Sequence, residues 1–213
     1  MEGVFVMRKL LMCIMVLGMT AAVANAGLID LRIASIGPDR ESTEPLDPKV
    51  SEITIEPSTW LDIDIVYNDE GSEMPLFSMG VLVTVDGPGT IDCLDLTEPA
   101  DTWLLTGLRE TTEVIPGKQW FIGRAALDLG LWPGSTPDDT VAIDHIMFHC
   151  EAVGEVVVRM ESYEGPTGGW ETIDVDGAVV GISPPLIIHQ TPEPMTMALL
   201  GLGGLGLLRR RRS

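Results

Sequence analysis

The chain contains three histidines, so any histidine-based chemistry must use them. His145 and His149 are four residues apart, a spacing that would bring both side chains to one metal ion on a helix. The segment around them instead has the pattern of a strand, on which they would lie ~13 Å apart at about 3.3 Å per residue. The ligands of one metal ion lie at ~2 Å from it. Because His189 stands alone, no zinc-type metal site is expected.

Carboxylates are abundant, with 32 Asp and Glu residues, but the patterns of known active sites are missing. Neither G-x-S-x-G nor H-E-x-x-H occurs. A glycosidase would need two carboxyl groups about 5–9 Å apart across a cleft, which a sequence alone does not establish. We therefore expect a protein that is not an enzyme and needs no cofactor. Calcium is the alternative, with Asp174 and Asp176 before Gly177 as its weak candidate ligands.

Two cysteines, Cys93 and Cys150, lie in the central part of the chain, each near the end of a predicted strand. In an oxidising compartment an even number of cysteines favours a disulfide, which would stabilise the domain by ~4 kcal/mol in the chain-entropy model. Two buried free thiols are the alternative.

Five tryptophans occur beside only four Phe and two Tyr. Trp103, Trp132 and Trp170 adjoin predicted turns, where an indole ring could stack on a sugar. Trp60 and Trp120 lie within predicted strands and are expected in the core. Packing over the end of the domain is the favoured role of the three loop tryptophans, and stacking on a sugar is the alternative.

The N-terminus has the three parts of a secretory signal peptide. Arg8 and Lys9 precede an apolar run over residues 10–19, and small residues follow up to Ala24-Asn25-Ala26. A membrane anchor is the alternative, but ten apolar residues span only ~15 Å as a helix. The sequence thus predicts a signal peptide over residues 1–26, cleaved after Ala26.

The C-terminus combines Pro192-Glu193-Pro194, an apolar run over residues 195–208, and four arginines, Arg209, Arg210, Arg211 and Arg212. As a helix the run would cover ~21 Å, which is a short membrane span. Basic residues stay on the cytoplasmic side, so both basic ends of the chain predict that everything between them lies outside the inner membrane.

Residues 192–213 resemble the PEP-CTERM sorting signal of Gram-negative bacteria, which has a Pro-Glu-Pro motif, a short apolar helix and an Arg cluster in this order. The resemblance implies that an exosortase-type membrane protease recognises the motif, and that the tail is removed as the protein leaves for the cell surface or the medium. It also implies that the protein comes from bacteria that make exopolysaccharide.

Residues 27–191 are dominated by alternation of apolar and polar residues, which is typical of strands. The pattern predicts one all-β domain, a β-sandwich of about eight or nine strands separated by turn signals. In the run 60–67, Leu61 and Ile63 are predicted to face the core and Asp62 and Asp64 to face water. Residues 38–48 are predicted to form a loop or an extended arm, and helical turns are allowed only at 104–109 and 125–129. Other predicted strands cover 28–36, 50–56, 79–85, 120–129, 140–150, 156–161 and 179–188, the last interrupted at Pro184-Pro185.

Two segments resemble cohesin-like jelly-roll sandwiches, namely 57–68 and 141–160, each with a turn beside alternating strands. This resemblance implies binding through a sheet face or loops and assigns no particular residue. The net charge of −19 argues against nucleic acid as a partner. We expect an exported, non-enzymatic surface or matrix protein that acts as a structural or interaction module, with exopolysaccharide or another surface protein as the candidate partners. A carbohydrate-binding module for exopolysaccharide is the alternative, and a hydrolase with a carboxylate pair is a third possibility.

Overall fold

The structure, a computed structural model, describes residues 27–68, 76–97, 108–125, 140–174 and 177–192. Within these ranges the chain forms thirteen strands and no helix, so the predicted all-β class is confirmed. A search of the same ranges for a helix able to cross a membrane found none. The two helices predicted at the chain ends lie outside the described residues.

The strands form two sheets of mostly antiparallel neighbours. In the first sheet the order is β12-β1-β4-β9-β6, and β2 pairs with β1 beside this path. Its strands are β1 (Leu28–Gly37), β2 (Glu44–Val50), β4 (Trp60–Asn68), β6 (Gly89–Asp92), β9 (Thr140–Cys150) and β12 (Gly181–Ile182).

In the second sheet the order is β3-β13-β10-β5-β8-β7, and β11 pairs with β5. Its strands are β3 (Glu52–Ile55), β5 (Leu76–Asp86), β7 (Leu108–Ile115), β8 (Gln119–Ala125), β10 (Gly154–Ser162), β11 (Ile173–Asp174) and β13 (Leu186–Gln190).

Period-two alternation explains why these segments pack as a sandwich, since it places one apolar row of each strand on the face towards the other sheet. On β4 this row contains Leu61, Ile63 and Ile65, all fully buried. Val81 and Val83 of β5 face them from the second sheet and belong to the same core cluster. Burial of these rows supplies the main stabilising free energy of the domain.

Two segments have less obvious strand patterns, and for one of them the prediction was wrong. Residues 44–48, for which a loop or an extended arm was predicted, are extended and belong to β2, because their backbone pairs with the end of β1. Leu108 and Arg109, expected in a helical turn, begin β7, which pairs along its length with β8. In both cases the strand is stabilised by backbone pairing with its neighbour, and most of its side chains are exposed. Its sequence therefore lacks the alternation of apolar and polar residues from which a strand is predicted.

The strand directions give the sandwich two distinct ends. The last described residue, Pro192, follows β13. Gln190, the last residue of β13, pairs with Gly154 of β10 and with Ile55 of β3. Gly89, which pairs with Cys150 shortly before Gly154, lies at the same end of the sandwich. We call this the Pro192 end.

Candidate functional site

The outer face of the first sheet holds two buried carboxylates on its central strand. Asp62 and Asp64 of β4 are only 7% and 4% exposed, so the prediction that they face water was wrong. Asp62 lies between Ser35 of β1 and Met147 of β9, its partners in strand register, and both neighbours are buried. A strand flanked on both sides has its outer row covered by cross-strand side chains, which the sequence of that strand does not show.

Asp64 forms an ion pair with Lys49 of β2, with the lysine Nζ 2.5 Å from Oδ2. Burial raises the pKa of Asp64 because it disfavours the charged carboxylate, and the hydrogen bond and charge of Lys49 oppose this effect. Lys49 is itself about one-third exposed, so the pair lies at the boundary between protein and solvent.

A β-bulge in β9 aims His145 at Asp62. Ile63 of β4 pairs with Ile146 of β9, and Ile65 pairs with Ile143. Two residues of β9, Asp144 and His145, therefore stand opposite the single residue Asp64 of β4. His145 has a backbone φ of 64°, a left-handed conformation that is strained for a residue with a side chain. Its Nδ1 atom lies 2.8 Å from Oδ2 of Asp62.

The carboxylates around His145 control its charge. Burial lowers the pKa of this imidazole, but the hydrogen bond to Asp62 and the charges of Asp62, Asp144 and Asp64 outweigh burial, so the pKa lies above its ordinary value. Asp144 also accepts a hydrogen bond from the Thr97 hydroxyl. The five residues Lys49, Asp62, Asp64, Asp144 and His145 are called the His145 site below.

Two buried oxygens beside this site have no hydrogen-bond partner among the described residues. They are Oγ of Ser35 and Oδ1 of Asp62, which belong to directly opposed residues on one sheet face. Because Nδ1 of His145 is held by Asp62, Nε2 remains available to a ligand or partner. In the described part of the chain, no group of three or more His, Cys, Asp or Glu side chains is arranged to hold a metal ion.

The sequence pattern contained one signal for this site. Ile143 and Ile146 both face the core although they are three residues apart, and the polar pair between them breaks the period of two. Such a break indicates a bulge. The partner of the bulged histidine could not be inferred, because Asp62 is 83 positions away.

Trp170, one of the candidates for stacking on a sugar, packs against the outer face of the second sheet. It is only 9% exposed, and its ring meets Phe121 edge-to-face with centroids 6.2 Å apart. Its Nε1 atom donates to Oε2 of Glu110 at 2.8 Å. For this residue the expected packing role therefore holds, and the sugar-stacking role does not. Trp103 and Trp132 lie outside the described residues.

Cys93 and Cys150 are both free and buried, so the predicted disulfide is absent from the structure and the alternative of two free thiols holds. Cys150 stands opposite Gly89, whereas Cys93 follows Asp92, the partner of Met147. The two cysteines are thus about four residues apart along the ladder, or ~13 Å. A disulfide requires Cα atoms within about 7 Å.

Asp174, one of the two calcium candidates, is only 3% exposed. Its Oδ1 atom accepts a hydrogen bond from the backbone N–H of Ala178 at 2.9 Å, which closes the turn. Asp176 lies outside the described residues, and calcium binding by the pair stays a prediction.

The sorting motif begins directly where the sandwich ends. After Gln190, the N–H of Thr191 donates to the carbonyl of Ile55 at 2.9 Å, and Pro192 follows. The other predicted sorting and cleavage residues lie outside the described residues, namely Glu193, Pro194, Arg209, Arg210, Arg211, Arg212, Ala24 and Ala26.

Comparison with protein families found one match, the PEP-CTERM protein-sorting motif, over residues 190–212. The predicted sorting signal is therefore confirmed, and the chain carries a signal for export and membrane-associated sorting. No curated protein matched the chain.

Comparison with solved structures found cohesin modules. A cohesin of Clostridium acetobutylicum, CaCohA2, is 14% identical, with a TM-score of 0.51 over 78% of this chain and 92% of that one. A type III cohesin module from the cell-surface anchoring scaffoldin ScaE of Ruminococcus flavefaciens is 10% identical, with a TM-score of 0.51 over 80% and 90%. The body of the chain thus has a cohesin-like fold, as predicted.

Proposed function

We propose that this protein is exported, processed by an exosortase-type membrane protease, and retained outside the cell as a non-catalytic module that binds another surface protein. The sorting motif supports the route. The cohesin-like fold supports the role by analogy only, since one similar structure comes from a cell-surface anchoring scaffoldin.

The position of the motif constrains how the domain sits before processing. Met195, the first residue of the apolar run, is three residues beyond Pro192. Three residues span at most ~10 Å even when fully extended. The Pro192 end therefore lies against the membrane while the tail is attached. The outer faces of the two sheets are not turned towards the membrane surface and remain accessible to partners.

The observation that carries the binding role is the His145 site. Asp62 and Asp64 are buried charges on an outer sheet face, and His145 is held in a strained conformation above them. Both features cost free energy that an apolar row would avoid, and such costs are typical of functional positions. An exposed histidine ring, fixed through Nδ1, is a directed hydrogen-bonding group for a partner.

The charge of this face indicates the chemistry of the partner. Asp30, also on the outer face of the first sheet, forms an ion pair with Arg32, its neighbour on β1. Asp30 and the His145 site together contribute four carboxylates to this part of the face, against the two cations Arg32 and Lys49. We infer a partner with a basic surface, for which complementary charge increases the rate of association.

Processing is tested by the mass of the exported protein. In a host with the exosortase, the intact mass should correspond to loss of residues 1–26 and of the tail from the region of Pro192-Glu193-Pro194. A host without the enzyme, or the variant Glu193→Ala in a normal host, should retain the tail. Glu52→Ala, an exposed acid on the domain, is the matched control and should be processed normally. Full processing without the enzyme would contradict the route.

Binding is tested by photo-crosslinking on intact cells. A photoreactive residue in place of Arg32, on the face of the His145 site, should form a discrete protein adduct. The same residue in place of Thr112, on the second sheet, is the control and should not. The partner, identified by mass spectrometry and purified, should bind at least tenfold more weakly to His145→Gln. Equal adducts at both positions, or unchanged affinity, would remove the His145 site from the proposal.

A further inference from the structure

A groove of about 330 Å³ lies where β6, the edge strand of the first sheet, meets the turn that joins β7 to β8. The carbonyl of Gly117 in this turn accepts a hydrogen bond from the N–H of Ile91 on β6 at 2.9 Å. We call it the Trp60 groove after the aromatic residue in its wall. Among its lining residues are Trp60, Thr90, Asp92, Leu94, Glu113 and Met147. Its volume lies at the small end of the range of about 300–1,000 Å³ that holds small molecules.

Trp60, expected in the core, is only partly buried and lies on the outer face. One side of its ring stacks on His149, with centroids 4.5 Å apart and planes 23° from parallel. Its indole N–H has no hydrogen-bond partner among the described residues, whereas that of Trp120 donates to the Ile91 carbonyl at 3.1 Å and that of Trp170 is also bonded. Trp60 thus has both a supported ring and a free donor.

Two carboxylates in the groove are held in place by donors from the protein. Asp92 accepts from Arg40 at 2.7 Å through Oδ2 and from the backbone N–H of Leu94 at 2.8 Å through Oδ1. Glu113 accepts from the N–H of Gly117 at 2.7 Å through Oε1. Each carboxylate has about four acceptor sites, so both retain capacity for further donors, and the bonds already made fix their orientation.

We propose that the Trp60 groove binds a neutral saccharide. An aromatic ring presents the flat apolar surface on which the C–H face of a sugar ring stacks, while fixed carboxylates accept hydrogen bonds from its hydroxyl groups. Leu94, which is 74% exposed at the rim, extends the apolar surface. A polyanionic saccharide is disfavoured, because the protein carries a net charge of −19 and two carboxylates line this groove.

This inference goes beyond the protein-binding role and uses different residues. It also moves the predicted sugar contact from the loop tryptophans to Trp60. The groove and the His145 site both involve the first sheet but have no residue in common, so a variant in one tests it without removing the other.

The test is calorimetric titration of the purified protein with cellohexaose, maltohexaose and xylohexaose, with an alginate hexasaccharide as the anionic comparison. At least one neutral oligosaccharide should bind saturably, and alginate should bind at least tenfold more weakly. Trp60→Ala should weaken binding at least tenfold. Trp60→Phe, which retains an aromatic ring if alanine impairs folding, should weaken it less, and Glu113→Gln should weaken it severalfold. Trp170→Phe, outside the groove, is the control and should bind normally.

No saturable binding by any of the three neutral oligosaccharides would overturn the proposal. So would binding that Trp60→Ala, with an unchanged melting temperature, leaves at wild-type affinity. Loss of sugar binding in Trp60→Ala with retained crosslinking through position 32 would separate this site from the protein-binding face.

Discussion

Nδ1 of His145 lies 2.8 Å from Oδ2 of Asp62, across the pair of strands β9 and β4. The histidine is half exposed, whereas the aspartate side chain is nearly buried. The contact depends on the bulge at Asp144 and His145, because a regular strand would not place two residues opposite one. The β-bulge thus positions a titratable surface group, the His145 imidazole, against a buried carboxylate. We therefore expect the stability of the domain to depend on pH through this pair.

We expect the His145–Asp62 pair to stabilise the fold at acidic pH and to lose this effect as the pH rises. The pKa of His145 is raised in the folded state, so its stabilising effect is fully present below the unfolded pKa and disappears as pH rises through the folded pKa. The melting temperature of wild type minus that of His145→Gln should decrease between about pH 5.5 and about pH 8.5. His189→Gln is the control, since its ring pairs only with exposed acids. A difference that does not depend on pH would contradict the prediction.

Removing Lys49 should destabilise the domain at neutral pH more than removing the pair. Lys49→Met leaves Asp64 buried and charged without its cation, which should cost about 1–3 kcal/mol in the free energy of unfolding. The double variant Lys49→Met with Asp64→Asn should recover most of that loss. Denaturant unfolding of the four proteins in this cycle measures the coupling. Additive effects would show that the ion pair contributes nothing.

The loss caused by Lys49→Met should also depend on pH. The pKa of Asp64 is already raised by burial, and removing Lys49 raises it further. A carboxyl group whose folded pKa is raised favours the folded state when protonated, so stability falls as pH rises from the unfolded pKa through the folded one. The variant should therefore approach wild-type stability in acid. A constant deficit down to about pH 4 would contradict this explanation.

Both thiols should be unreactive in the folded protein. Cys93 and Cys150 are 1% and 0% exposed, and burial raises the pKa of each thiol, which lowers the thiolate fraction that reacts. Iodoacetamide should modify neither cysteine in the native state and both after denaturation without reductant. Mass spectrometry measures this directly. A denatured protein that is two hydrogens lighter and gains no adduct would show the disulfide.

A methyl group at Gly123 should displace Trp170. A Cβ atom there would lie 2.7 Å from Cδ2 of the indole ring, and the ring also packs against Phe121. Gly123→Ala should lower the free energy of unfolding by about 1–3 kcal/mol, as overpacking does, and shift the tryptophan emission to longer wavelength. Gly181→Ala is the matched control, because its Cβ would meet its nearest neighbour at 3.2 Å. Equal effects of the two variants would contradict the packing role of Trp170.

The sorting signal, the all-β class and the core rows of the strongest strands could be predicted from the amino-acid sequence alone. Each of these depends on neighbours in the chain. A run of apolar residues beside arginines, or the alternation of Leu61, Asp62 and Ile63, is local information that reads directly as a membrane segment or a strand. The interruption between β12 and β13 at Pro184-Pro185 was predictable for the same reason, because proline lacks the N–H group that pairing between strands requires.

Which polar and aromatic residues are buried depends on how the two sheets pack. Asp62 is buried because Ser35 and Met147 lie beside it, and these neighbours come from strands distant in the chain. The same holds for two tryptophans: Trp170 is covered through contacts with Phe121 and Glu110, while Trp60, expected in the core, lines the Trp60 groove. The exposure of a side chain depends on its neighbours in the other strands of the sheet. Alternation along one strand therefore predicts which face of the sheet a side chain is on, but not what covers that face.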